Sequence, residues 1–295
     1  MRVAVTGVSG FIGAAVAERL VSAGHQVTGL VRATSRRDHL EGRVDRIVTG
    51  DQADPAAWDE MLEGADAVVI NAVDWEAVKS GDLARHLAAN VTAPIELLHR
   101  SRPRPVVFMS SVAVHHEMLD RWNGVIDEDH PSRPGGLYGA AKAAVEMHLF
   151  AERAMHERHV VSLRPCAVYG IDPKPERTIG WPIVDRLRDT GRFRRPGGGK
   201  FVRVDDVAAA TLGALEQPEA AGRVYNLVDC YARWSDIAGW IAEELGVEAE
   251  IDRSSPAEPR NRFDVTAARS LGARLDHGHA GLREHVRQLV ALHRG

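Results

Sequence analysis

A chain of 295 residues, 44% hydrophobic and 26% charged, has the composition of a globular protein and is long enough for one large domain or two closely joined ones. Its formal charge of -4 is spread without an acidic or basic block, which removes the electrostatic reason for a nucleic-acid or membrane-surface partner and leaves a small molecule. Cys166 and Cys230 lack disulfide or metal spacing, no apolar run reaches about 18 residues, and no charged leader precedes an apolar stretch, so a soluble cytoplasmic protein without a metal is expected.

The predicted elements begin with an apolar, β-branched run from Arg2 to Thr6, a glycine turn, a helical period from Phe11 to Ala23, and a second apolar run from Gln26 to Val31. That is one βαβ unit, with Gly24 placed for a left-handed helix cap. The alternation continues through a strand at Arg46 to Thr49, a helix starting near Pro55, a strand at Asp66 to Ile70 and a long helix from Asp82 to Ser101. A strand at Pro105 to Ser110, a helix from Gly136 to Met155 and a strand at Val160 to Arg164 follow. Strands alternating with helices predict an α/β fold, a doubly wound parallel sheet of the Rossmann type.

Past Pro165, four prolines at 173, 175, 182 and 196 and the run Gly197-Gly198-Gly199 end the regular crossovers. A helix over Val204 to Glu216 and a strand over Arg223 to Val228 are expected to return to the main sheet, before helices near Trp234 to Leu245 and Gly281 to His293. The expected division is a dinucleotide-binding domain over 1–165, rejoined by 201–228, and a smaller, interleaved substrate domain over 166–200 and 229–295.

Gly7, Gly10 and Gly13 fall between the first strand and the first helix, with Ser9, Phe11 and Ile12 in the same turn. The first two glycines let the backbone approach a pyrophosphate, the third lets the helix pack on the strand, and the helix N-terminus offers N–H groups to phosphate oxygens. An acid at the end of the second strand would bind a ribose 2′-hydroxyl and repel a 2′-phosphate. This chain has Arg32 there and Arg36 soon after, with no acid before Asp38. NADP(H) is therefore the preferred expectation and NAD(H) stays open, since arginines after a strand are also often only solvated. Asp51, with Gln52 beside it, is a candidate partner for the adenine amino group, although Gly50-Asp51 also reads as a turn.

Tyr138 and Lys142 are spaced i, i+4 at the start of a predicted helix and share one face. An ammonium beside a phenol favours phenolate, which lets a tyrosine exchange a proton with a carbonyl or alcohol oxygen, and the Ser111 hydroxyl at the end of the fifth strand is placed to bond the same oxygen. Only four tyrosines occur in the chain, so a chance match to this spacing is uncommon.

Taken in order, Thr6-Gly7-x-x-Gly10-x-x-Gly13, Gly50-Asp51, Asn71-Ala72, Asn90, Ser110-Ser111, Tyr138-x-x-x-Lys142, Leu163-Arg164-Pro165, Val204-Asp205-Asp206 and Tyr225-Asn226-Leu227 resemble the extended short-chain dehydrogenase/reductase family, and within it the NAD-dependent epimerase/dehydratase group. The resemblance implies that Ser111 orients substrate, Tyr138 is the acid/base, Lys142 lowers its pKa and holds the nicotinamide ribose, and Asn90 supports a proton relay. It also implies that Asn71, Ala72 and Val73 line the ribose and pyrophosphate, with Pro165 in the cofactor-binding set, and that the protein is a homodimer through its two long helices. Apolar Leu83, Leu87, Leu97, Val145 and Leu149 on those helices suit either that contact or the sheet.

Departures from the family pattern narrow the chemistry. Val112 follows Ser111 where dehydrating members carry an acid, Gly199 stands where sugar-nucleotide members usually carry an arginine, and Cys166-Ala167-Val168 replaces an asparagine-containing segment. The favoured expectation is an NADP(H)-dependent oxidoreductase acting on a small carbonyl or alcohol. A nucleotide-sugar epimerase with tightly bound NAD(P) and a noncatalytic NADP-sensing protein are the alternatives. Trp75, Val112, His115 and Trp181 are candidate substrate-wall residues beside Ser111.

Overall fold

The computed structural model describes residues 1–294. Seven strands form the central sheet: β1 (Arg2–Thr6), β2 (Gln26–Val31), β3 (Arg46–Thr49), β4 (Ala67–Ile70), β5 (Val106–Met109), β6 (Val160–Pro165) and β7 (Val224–Leu227). They lie in the order β7-β6-β5-β4-β1-β2-β3, every neighbouring pair parallel. All residues of β4, β5, β6 and β7 are buried, because helices cover both faces, and β4 and β5 accordingly read as continuous apolar runs.

On one face Val16 and Leu20 of the Phe11–Ser22 helix pack with Val207 and Leu212 of the Val204–Glu216 helix. On the other, Trp58 and Met61 of the Pro55–Leu62 helix join Leu97, Val145 and Leu149. A third buried cluster, built around Leu187, Phe201, Ile241 and Leu289, fills the C-terminal part of the chain. Among the described residues no helix is long and apolar enough to cross a membrane, and no group of three or more His, Cys, Asp or Glu is placed to hold a metal.

Several elements differ from expectation. The long helix from residue 82 is Leu83–Leu87 and Ala93–Arg100 joined by a wider π turn at Ala88–Thr92. Pro94 has no N–H to give the Asn90 carbonyl four residues earlier, so the regular ladder is interrupted there. Short helices at Trp75–Ser80 and Trp181–Thr190 were not expected. Nor was a strand at Gly198–Arg203, which pairs with Cys230–Arg233 and Ala167–Tyr169 in a second sheet.

Candidate active site

The sheet changes winding direction at β1, with β2 on one side and β4 on the other, and ligand crevices in such sheets open at the carboxyl ends of the strands around that point. There the Thr6 hydroxyl oxygen accepts the N–H groups of Asn71 (3.0 Å) and Ala72 (3.1 Å), tying the ends of β1 and β4 together. Gly7 follows at φ 69°, and a Cβ on it would come within 2.9 Å of the Ala72 Cα. A Cβ on Gly13 would overlap the Gly7 carbonyl. The helix opening at Phe11 has no side-chain cap and no acid in its first turn, so its N–H groups remain available to an anion.

A cleft of about 1000 Å³ runs along this turn. Gly7, Ser9, Gly10, Phe11, Ile12, Arg32, Arg36, Gln52, Asn71, Ala72, Val73 and Pro165 line it, as do Trp75, Ser111, Val112, His115, Tyr138 and Lys142. A tight glycine cradle, an open helix N-terminus and a cleft of this volume fit a dinucleotide cofactor.

Four expected residues sit elsewhere. Gly13 packs beneath the turn. Asp51 is exposed, lies off the cleft wall and closes its own turn by accepting the Ala53 N–H at 2.9 Å. Asn90 is buried: its side-chain oxygen accepts the Asp74 N–H at 2.8 Å, and its amide donates to the Asp74 carbonyl at 3.1 Å. This clasp fixes the segment that presents Trp75, whose ring stacks 4.7 Å from that of Tyr138. Trp181 is a correction. It begins its helix behind Gly180, contacts His293 at 4.4 Å and packs on the C-terminal core, where it cannot form a substrate wall.

Ser111 caps the short turn Val112–Val114 by accepting the Ala113 N–H at 3.1 Å, and its hydroxyl donates to the Pro165 carbonyl at 3.4 Å. Lys142 is buried, donates to the Met109 carbonyl at 2.6 Å, and holds its nitrogen 5.8 Å from the Tyr138 ring centre. Burial pushes the Lys142 pKa down to about 7, opposed by Glu146, and pushes the Tyr138 phenol up to about 12, with the neighbouring Ser111 hydroxyl offsetting part of the rise. Burial is the largest influence on both groups, and the lysine donates its hydrogen bond to a main-chain carbonyl.

His115 reaches the cleft with its Nε2 3.1 Å from the Arg164 guanidinium, which donates to it. Burial and that cation hold its pKa to about 4, so the ring is neutral at pH 7. Arg164 is fixed by Glu146, through bonds of 2.9 and 2.8 Å, and both are buried. The wall also holds Cys166, Lys174, Arg177, Lys200, Asn261 and Phe263, which sequence reasoning did not select. Lys200 was the most legible of them, a rare lysine directly after the glycine run.

Residues 3–227 match the model of the NAD dependent epimerase/dehydratase family. The chain is 28% identical over 293 residues to UDP-glucose 4-epimerase of Mycolicibacterium smegmatis, covering 92% of each. It is also 28% identical over 260 residues to a 4-hydroxy-2-methyl-3-oxo-4-farnesyl-3,4-dihydroquinoline-1-oxide ketoreductase of Stigmatella aurantiaca, covering 85% of this chain and 75% of that one. Among solved structures, UDP-glucuronic acid 4-epimerase of Bacillus cereus, with NAD bound, superposes with a TM-score of 0.80 at 22% identity, over 98% of this chain and all of that one. The chain belongs to the NAD-dependent epimerase/dehydratase family, of the extended short-chain dehydrogenase/reductase type.

Proposed function

We propose that the protein is an NADP(H)-dependent dehydrogenase or reductase that transfers a hydride between nicotinamide and a small carbonyl or alcohol. The observation that carries this reading is that Ser111, Tyr138 and Lys142 line the same cleft as the glycine turn. The nicotinamide, when bound, supplies or accepts the hydride. Ser111 orients the substrate oxygen, and Tyr138 exchanges a proton with it. A phenol kept neutral by burial suits donation to a developing alkoxide, the reductive direction. Lys142, one turn away, holds the ribose and carries the next proton.

For the 2′-phosphate, Arg32 lines the cleft, while Arg36 is engaged by Asp38 at 2.5 Å. Lys174 and Arg177 line the same cleft, and Glu176 between them lies near enough to Arg36 to raise its pKa. A cation-rich wall without a free acid after β2 favours NADP(H) over NAD(H). The test is to mix the purified protein with NADPH or NADH and a panel of carbonyl compounds and follow the absorbance of the reduced nicotinamide. Oxidation of NADPH supports the reading. Epimerised UDP-sugar with no net change in nicotinamide overturns it in favour of the second reading, a nucleotide-sugar epimerase, which draws on the end-to-end similarity to UDP-glucose 4-epimerase.

A cytoplasmic homodimer belongs to the same proposal. Leu97, Val145 and Leu149 are spent in the sheet core, whereas Leu83, Leu87, Leu137, Met147 and Phe150 are exposed on the two long helical segments and suit a symmetric contact. Light scattering at micromolar concentration decides it, a 32.2 kDa species counting against the dimer.

A further inference from the structure

In the cleft that Ser111 also lines there is a cation without an anion. The Lys200 ammonium donates to the Asn261 side-chain oxygen at 2.6 Å and lies 5.5 Å from the Phe263 ring centre. Among the described residues it ion-pairs with no carboxylate, although it is half-buried and burial lowers its pKa. The only group opposing that shift is Cys166, whose own thiol burial holds protonated. The other charges nearby are spoken for: Arg164 by Glu146, and His115 is neutral.

The position of this cation is informative. Cys166 follows Pro165, whose carbonyl accepts the Ser111 hydroxyl, and Phe263 spans from Lys200 to the His115 ring, 6.0 Å away. Lys200 therefore shares a wall with the hydroxyl expected to hold the reacting oxygen. Lys200 and Asn261 both line the cleft, and among the described residues neither the ammonium nor the Asn261 amide nitrogen donates to any further protein acceptor. A half-buried ammonium hydrogen-bonded to one neutral amide is stabilised when an anion is brought to it.

We propose that Lys200 and Asn261 form an anion subsite, and that the substrate is a carboxylate-bearing carbonyl or alcohol whose carboxylate sits on Lys200 while its reacting oxygen faces Ser111 and Tyr138. The proposal rests on the hydride-transfer reading above. One cation and one amide match a single carboxylate. A pyrophosphate would require more donors than this wall provides.

The test is calorimetric titration of the protein loaded with its preferred reduced or oxidised nicotinamide, using pyruvate, lactate, acetoacetate and levulinate, the methyl ester of each, and inorganic phosphate. At least one acid is expected to bind about 10- to 100-fold more tightly than its ester. Lys200→Gln is expected to abolish that preference, Lys200→Arg to retain it, and Asn261→Asp to abolish it by supplying an internal anion without removing the lysine. Equal affinity for every acid and ester, absence of acid binding throughout, a preference that survives Lys200→Gln, or phosphate bound more tightly than every carboxylate would each overturn the subsite. Because heat is read rather than nicotinamide absorbance, the two proposals fail separately. A Lys200-dependent acid preference without hydride transfer sinks the dehydrogenase reading alone, and hydride transfer indifferent to the carboxylate sinks the subsite alone.

Discussion

Lys142 donates a hydrogen bond to the Met109 carbonyl, at 2.6 Å, and none to the phenol of Tyr138 one helical turn before it. The lysine is thereby anchored to the end of β5, and the phenol is left as a neutral donor facing the cleft. Removing the phenolic proton while keeping the ring isolates that role. Tyr138→Phe is expected to retain cofactor binding and to lose about 100- to 10,000-fold in turnover. Stopped-flow traces of nicotinamide absorbance check it, and turnover within a factor of about three of the parent refutes the assignment.

Arg32 gives the second test. Replacing it by aspartate exchanges attraction for repulsion at the 2′-phosphate, so Arg32→Asp is expected to cost about 10- to 100-fold in NADP(H) affinity and to narrow or reverse the preference over NAD(H). Cofactor titrations of parent and variant measure it. Equal dissociation constants for the two cofactors in the parent would remove the premise.

Gly13 tests the cradle. A methyl group there overlaps the Gly7 carbonyl, which belongs to the main chain and cannot swing aside. Gly13→Ala is expected to lose about 1 to 3 kcal/mol of stability by overpacking, and to weaken cofactor binding as the turn moves. Urea unfolding with and without NADP(H) reads both effects, and an unchanged midpoint would show that the turn is looser than the structure describes.

His115 sets a pH dependence. Its pKa is about 4 in the folded protein and near 6.5 when unfolded, so between those values the unfolded chain binds a proton that the folded one refuses. Stability is expected to fall as pH drops from about 6.5 to 4, by up to about 3 kcal/mol from this residue. His115→Gln removes that share of the slope. Urea midpoints at pH 7 and pH 4.5 for both proteins check it, and parallel losses would reassign the effect to other groups.

The central sheet was legible because its inner strands are buried on both faces and are written largely in apolar residues, as in Ala67-Val68-Val69-Ile70. The cofactor side of the cleft was legible for a local reason: each motif, the three glycines and the Tyr138–Lys142 pair, lies within a few residues of sequence. The opposite wall was not. Lys200, Asn261 and Cys166 come from three separated segments, and only the fold brings them together. Pro182 suggested an end to helical structure, yet it occupies the first turn of the Trp181–Thr190 helix, where its missing N–H costs nothing. The glycine run suggested a loop, but Gly198 and Gly199 pair with Arg233 and Ala232 in a strand.

The neighbour relation of β6 and β7 has a consequence for the nascent chain. β7 joins the sheet only after the second-sheet strands Ala167–Tyr169 and Gly198–Arg203 and the Val204–Glu216 helix have been synthesised, so until then β6 is the open edge of a parallel sheet. Such an edge offers unpaired N–H and C=O groups to any other chain, and parallel pairings across long connections close slowly. Ser162 and Arg164 lie on that strand, gathered by the Glu146 carboxylate. Buried in the finished fold, this charged cluster stands beside the open edge until β7 arrives, and charges at a sheet edge disfavour the addition of a foreign strand.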